Sequence, residues 1–199
     1  MVLNQVRARI QPVVNSIGKN LGRVGVTPNM LTAAGFAVAV LAGLFFAVRP
    51  TQTYLAGLAI IISGIFDVLD GAVARATNMI STIGSLNDST LDRVAEISLY
   101  GGIIYAGYSI SPVLVLLTLG FSLLVSYVRA KGESLGVTLS GIGIGERAER
   151  LIVLVIFALV GYVWIGIYII LALVVITFGQ RYLYVAKAIR GKKNGQEKL

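Results

Sequence analysis

Asp67 and Asp70 stand three residues apart in this chain, and Asp88 and Asp92 stand four apart. On helices, each pair shares one face. Both pairs fall at the ends of apolar runs, where a carboxylate is costly and its retention points to function. If the two helices form a hairpin, four carboxylates converge. Their mutual repulsion calls for neutralisation, and a hard divalent cation supplies it. The chain has no histidine and no cysteine, so ligation is by oxygen alone. That points to Mg²⁺, with Mn²⁺ as the other fitting ion. Four carboxylates suit two metals about 4 Å apart, an arrangement used for phosphoryl transfer. The neighbours agree with such a site. Gly71, Ala74 and Gly84 are small and let a backbone or ligand approach closely. Arg75 is placed to hold a phosphate. Two other readings were weighed: a structural role paired with Arg75 and Arg93, which leaves two carboxylates unbalanced, and an acidic vestibule for cations.

A second set of residues carries the opposite charge. Ser126, Arg129, Lys131, Arg147 and Arg150 flank a glycine-rich, nearly uncharged stretch from Gly132 to Gly145. Arg147 and Arg150 are i, i+3 at the start of an apolar run. A glycine loop feeding a helix N-terminus, with arginines beside it, suits a phosphate. A phosphorylated acceptor is therefore expected here. The competing reading is that these cations only anchor membrane ends.

The elements that must hold both sets are membrane helices. Hydrophobic residues make up 56% of the 199 and charged residues only 13%, and the mean hydropathy is +0.85. A soluble domain averages about 25% charged residues, so a water-soluble monomer is excluded. Without cysteine there are no disulfides, iron–sulfur clusters or thiolate chemistry. Without histidine the commonest general base is missing. Gaps between charges give an all-α integral membrane protein with six transmembrane helices, at 30–48, 54–74, 84–108, 112–131, 149–163 and 166–188. The charge-free stretch from Leu151 to Gln180 is read as a tight hairpin near Gly161 to Gly166 rather than one long helix. Residues 1–24 are expected to be juxtamembrane, with Leu3 to Ile17 an amphipathic surface helix rather than a signal peptide. Residues 189–199 are expected to be a cytoplasmic tail, frayed from Gly191 to Leu199. With six spans, Arg49 alone of the 17 basic residues falls on the far side. This asymmetry puts both termini and the acidic cluster on the cytoplasmic face of the cell membrane. It also explains much of the net charge of +8 without nucleic acid.

The run Asp67-Val-Leu-Asp70-Gly71-Ala-Val-Ala74-Arg75, then Gly84, Asp88 and Asp92, resembles the signature of the CDP-alcohol phosphatidyltransferases, D-x2-D-G-x2-A-R-x8-G-x3-D-x3-D, at every fixed position. Eight such matches arise by chance on the order of once in 10⁹–10¹⁰ starting positions. The length, the six spans and the N-terminal surface helix are also similar to the family, so the whole chain, 1–199, reads as one such domain. The resemblance implies transfer of a phosphatidyl-type group from a CDP-lipid to an alcohol, with release of CMP. It implies that Asp67, Asp70 and Asp88 are ligands of two Mg²⁺ ions. Asp92 would be a second-metal ligand and the base that deprotonates the acceptor. It implies a CDP-lipid site at Gly71, Ala74, Arg75 and Gly84, extended by Asn29, Met30, Leu31, Thr32 and Ser81, and a homodimer.

Ser126-Tyr-Val-Arg129-Ala-Lys131 and Glu146-Arg147-Ala-Glu149-Arg150 further resemble the inositol-phosphate-using branch of that family, actinobacterial and archaeal alike. The implied acceptor is inositol 1-phosphate, and the implied donor is CDP-diacylglycerol or CDP-archaeol. Arg129 departs from the pattern, where lysine is common; the cation survives, with a different geometry. The alternatives are another acceptor, such as glycerol 3-phosphate or a second inositol-containing solute, and more distantly a cation channel or carrier. An intramembrane prenyltransferase would need more spans and differently spaced aspartates.

Overall fold

The computed structural model describes the backbone of residues 2–196 and the side chains of residues 11–191. Seven helices follow one another: α1 (Val2–Arg23), α2 (Pro28–Val48), α3 (Thr53–Ala76), α4 (Thr82–Ala106), α5 (Pro112–Ser134), α6 (Arg147–Leu159) and α7 (Val163–Gln196). There is no strand among the described residues. The side chains of Arg7, Arg9, Lys192 and Lys193, and all of Lys198, lie outside the described residues, as do the side chains from Leu3 to Ile10 of the expected amphipathic helix.

Local chemistry sets the boundaries. Thr27 caps α2 by accepting from the Met30 amide, and Pro28 follows at the first helical position, where its missing N–H costs nothing. Ser81 caps α4 by accepting from the Gly84 amide at 3.0 Å. The break expected near Gly161 is present: α6 ends at Leu159, Gly161 takes φ +80°, and the Tyr162 amide returns to the Phe157 carbonyl at 2.9 Å. Four helices are long and apolar enough to cross a membrane: α2, α3, α5 and the stretch Val163–Gly191 of α7. The other two expected spans fall short on this measure. In α4 the cause is polar content, with Asp88, Asp92, Arg93 and Glu96 on one helix. In α6 it is length: thirteen residues reach only about 20 Å. α7 runs on to Gln196, through residues expected to fray.

Glycines bring α2, α3 and α4 together. Ser63 Oγ of α3 donates to the Gly35 carbonyl of α2 at 2.9 Å. Gly43 of α2 lies against the Ser98 backbone of α4, and Gly102 of α4 lies on the Gly43 carbonyl. Such contacts exclude any side chain and let apolar helices approach where no hydrophobic effect drives them. α6 seats on α3 through Gly57, which faces Leu159, and through Thr53, which donates to the Ala158 carbonyl at 2.6 Å. Phe121 of α5 and Phe178 of α7 meet edge to face with centroids 5.6 Å apart. α1 rests on the same end of α3 that carries Asp70: Gly18 faces Ala72 and Gly22 faces Thr77.

Candidate active site

Asp67 and Asp70 come from the last turns of α3, and Asp88 and Asp92 from the first turns of α4. The short connection 77–81 makes the expected hairpin. Asp67, Asp70 and Asp88 each present a carboxylate oxygen within 4.8 Å of the others. An octahedral Mg²⁺ with bonds of 2.0–2.1 Å spans about 4 Å between opposite ligands. The oxygen-only donor set and this spacing therefore fit a hard divalent cation. Thr32 Oγ1 of α2 donates to Asp70 Oδ2 at 2.7 Å, which fixes the most buried of the three.

Asp92 is turned differently. Its Oδ1 lies 2.9 Å from Arg147 Nη1, and its Oδ2 lies 3.6 Å from Arg93 Nη1. Arg147 also reaches to 4.0 Å from Asp67. The structure thus gathers three of the four aspartates as a trio, and sets the fourth against a guanidinium from α6. The ion pairs at these carboxylates come from Arg147 and Arg93.

Two cavities meet at the trio. The first, about 810 Å³ including its open mouth, is lined by Asn29, Thr32, Gly71, Ala74, Arg75, Ser81 and Gly84 together with Asp70 and Asp88. Seven of the nine residues named from the resemblance for the CDP-lipid therefore share one cleft. Met30 and Leu31 do not join them: Met30 is 59% exposed and Leu31 is packed in the core. A four-residue run on a helix faces every direction, and only Asn29 and Thr32, at i, i+3, share the cleft face. Gly71 has a visible reason, since a Cβ there would sit 3.2 Å from Arg75 Nη1, so the guanidinium folds back over it. The second cavity, about 610 Å³, holds Asp67, Asp92, Glu96 and Arg147 and continues between Phe36, Ala39, Ile60 and Leu99. Thr32, Asp70 and Asp88 line both cavities.

The basic residues divide. Arg147 enters the second cavity. Arg150, expected beside it at an acceptor phosphate, is 2% exposed and bound to Glu96, with a third bond from Nη1 to the Gly145 carbonyl at 3.0 Å. One helical turn below Arg147, it is enclosed between helices with its charge already matched. Arg129 is half exposed and paired with Glu133 at 3.0 Å. Lys131 is exposed, and Ser126 donates weakly to the Ser122 carbonyl at 3.4 Å. None of Ser126, Arg129 and Lys131 lines either of the two cavities.

Three residues with structural weight escape sequence reading. Glu96 continues the Asp88–Asp92 stripe by one more turn, which its i+4 spacing could have revealed. Arg181, legible only as a positive charge near a membrane end, donates to the Ile142 carbonyl at 2.8 Å, the Val125 carbonyl at 3.1 Å and Glu146 Oε1 at 2.9 Å. Thr177 Oγ1 accepts from the Gly145 amide at 2.9 Å. Arg181 and Thr177 together hold the glycine-rich loop onto α7.

Helices long and apolar enough to cross a membrane, with a carboxylate trio beside two clefts, mark a membrane protein with an acidic centre. The family model described as CDP-alcohol phosphatidyltransferase matches residues 25–179, and the chain belongs to that family. It is 39% identical to the archaetidylinositol phosphate synthase of Pyrococcus horikoshii, over 94% of this chain and 97% of that one. Among solved structures, it resembles the phosphatidylinositol phosphate synthase of Mycobacterium tuberculosis with CDP-DAG bound, at a TM-score of 0.77 and 28% identity, covering 87% of this chain and 94% of that one. The same bacterial protein in complex with manganese and citrate gives a TM-score of 0.76 at 27% identity, covering 86% and 88%.

Proposed function

We propose that this enzyme transfers a diacylglycerol- or archaeol-phosphate group from a CDP-lipid to inositol 1-phosphate and releases CMP. The observation that carries the reading is the cleft shared by Asn29, Thr32, Gly71, Ala74, Arg75, Ser81 and Gly84, which opens onto Asp70 and Asp88. A nucleotide diphosphate placed there has its phosphates beside both a cation and the acidic trio. The relatives named above supply the acceptor class.

In this reading the acceptor hydroxyl oxygen bonds to the lipid-bearing phosphorus. The bond from that phosphorus to the bridging oxygen breaks, and CMP leaves with that oxygen. Asp67, Asp70 and Asp88 hold Mg²⁺, two ions with Asp92 as a further ligand, and Mn²⁺ is the substitute. Bound there, the metal supplies positive charge for the diphosphate and its leaving group. Asp92 takes the proton of the acceptor hydroxyl. Arg75 holds the pyrophosphate from above Gly71, while Thr32 keeps Asp70 oriented. Arg147 binds the acceptor phosphate, assisted from α5 by Ser126, Arg129 and Lys131. Arg150 is not part of that set, because its guanidinium is committed to Glu96 and Gly145.

The same proposal places the protein in the cytoplasmic membrane as a homodimer. α4 and α6 complete six spans, α1 lies on the surface, and the termini and active site are cytoplasmic. The excess of Lys and Arg on one side supports this orientation. The deciding assay is CMP release and label transfer to lipid in membranes holding the protein, with CDP-diacylglycerol and CDP-archaeol each offered to a panel of acceptors. Turnover with inositol 1-phosphate is expected. Turnover with glycerol 3-phosphate and none with inositol 1-phosphate would overturn the acceptor assignment.

A further inference from the structure

Glu96 and Arg150 lie one helical turn below Asp92 and Arg147, Glu96 at the wall of the second cavity and Arg150 behind it. Arg150 Nε and Nη2 both donate to Glu96 Oε1, at 3.2 and 2.8 Å, and Nη1 donates to the Gly145 carbonyl at 3.0 Å. The side chains are 2% and 4% exposed. Glu96 follows Asp92 by one turn of α4, and Arg150 follows Arg147 by one turn of α6. Two ion pairs are therefore stacked between the same two helices. The upper one, Asp92–Arg147 at 2.9 Å, is the more exposed; the lower one is buried, with Glu96 at the wall of the same cavity and Arg150 behind it.

A buried ion pair adds little net stability over apolar residues of similar volume, because desolvation offsets the attraction. What it does supply is a fixed distance and rotation, since a guanidinium fork accepts a carboxylate in few geometries. The start of α6 needs such a fixture. It follows the loop 135–146, and its N-cap residue, Glu146, makes no capping bond because its carboxylate accepts from Arg181 instead.

We propose that Glu96 and Arg150 are positioning residues for the acceptor step: they set the height and rotation of the first turn of α6 on α4, so that Arg147 stands over Asp92. The bond to Gly145 extends the same fixture to the end of the glycine loop. This rests on the reading of Arg147 as the acceptor-phosphate residue. A displacement of about 1 Å at a reacting group costs on the order of 10²-fold in rate, so loosening the lower pair acts on the acceptor while the CDP cleft, built from α2, α3 and the start of α4, is spared.

The test uses the full-length protein carrying Glu96→Leu and Arg150→Met together, which removes both charges and keeps the volume. Folding is followed by thermal midpoint in detergent and by Mn²⁺ binding. Kinetics are measured with CDP-lipid and inositol 1-phosphate varied in turn. The expected result is Mn²⁺ affinity and CDP-lipid KM near wild type, with kcat/KM for inositol 1-phosphate down by about 10- to 100-fold. Wild-type acceptor kinetics, or an equal loss for both substrates, overturns the proposal. If the double variant does not fold, Arg150→Lys keeps the charge and drops the fork. A folded Arg150→Lys protein with a selective acceptor loss supports the proposal, and one with unchanged acceptor kinetics overturns it. A wild-type protein that releases no CMP with inositol 1-phosphate would instead refute the functional reading itself.

Discussion

Gly102 of α4 lies directly on the carbonyl of Gly43 in α2, with no room for a Cβ between the two helices. This contact holds the helix that carries Asp88 and Asp92 against the helix that carries Thr32. Gly102→Val should therefore destabilise the protein by about 1–3 kcal/mol through overpacking, seen as a lower thermal midpoint in detergent. Gly101, whose outer face meets nothing within 4 Å, is the matched control, and Gly101→Val should stay close to wild type.

Removal of divalent metal should abolish turnover, and Mg²⁺ or Mn²⁺ should restore it. Asp67→Ala and Asp88→Ala, each taking one oxygen from the trio within 4.8 Å, should lower Mn²⁺ affinity as well as activity. Full activity in excess EDTA would sink the metal assignment.

Asp92→Asn keeps the shape of the side chain and its ability to accept from Arg147, but it cannot take a proton. Turnover should fall by about 10²–10⁴-fold, the usual loss of a general base, while CDP-lipid binding persists. If more than half of the activity remained, Asp92 would not be the base.

Arg147→Ala removes the cation beside Asp92. A lost charge-assisted bond to phosphate corresponds to roughly 1.5–3 kcal/mol, or about 10- to 150-fold in affinity. The acceptor KM should rise by that factor and the CDP-lipid KM far less. Equal shifts in both would place Arg147 outside an acceptor-phosphate pocket.

The absence of cysteine allows a direct test of orientation, because any introduced thiol is the only one. In intact cells, Arg49→Cys should react with a membrane-impermeant maleimide and Asn78→Cys should not. In inverted vesicles the pattern should reverse. Labelling of Asn78→Cys from outside would overturn the cytoplasmic placement of the site.

Sequence alone revealed what helical periodicity can project. Asp67, Asp70, Asp88 and Asp92 were readable because i, i+3 and i, i+4 spacing forces each pair onto one face, and Gly161 and Gly166 with Tyr162 and Trp164 marked the α6–α7 break as turn residues beside interfacial aromatics. Met30 and Leu31 fall outside the cleft lining, because neighbours on a helix diverge by about 100°. Arg150 looked like a twin of Arg147, and nothing local distinguishes them. The distinction comes from Glu96, 54 residues away, and partners across such separations are set by packing. Asp92 is similar: its spacing shows which face it occupies, but not that a guanidinium from α6 stands opposite.

The polar stripe of α4 also bears on how the protein is made. In the six-span arrangement, Asp88, Asp92, Arg93 and Glu96 leave α4 too polar to leave the translocation machinery for lipid by itself, since a single charge at mid-membrane costs about 2.5–3.5 kcal/mol on insertion scales. α3, which is apolar enough alone, precedes it by only the turn 77–81. The two must then enter as one hairpin, with Gly43 of α2 waiting to receive Gly102. Arg150, the partner of Glu96, emerges from the ribosome only after α5 has been made. Until then the Glu96 carboxylate is without its Arg150 partner.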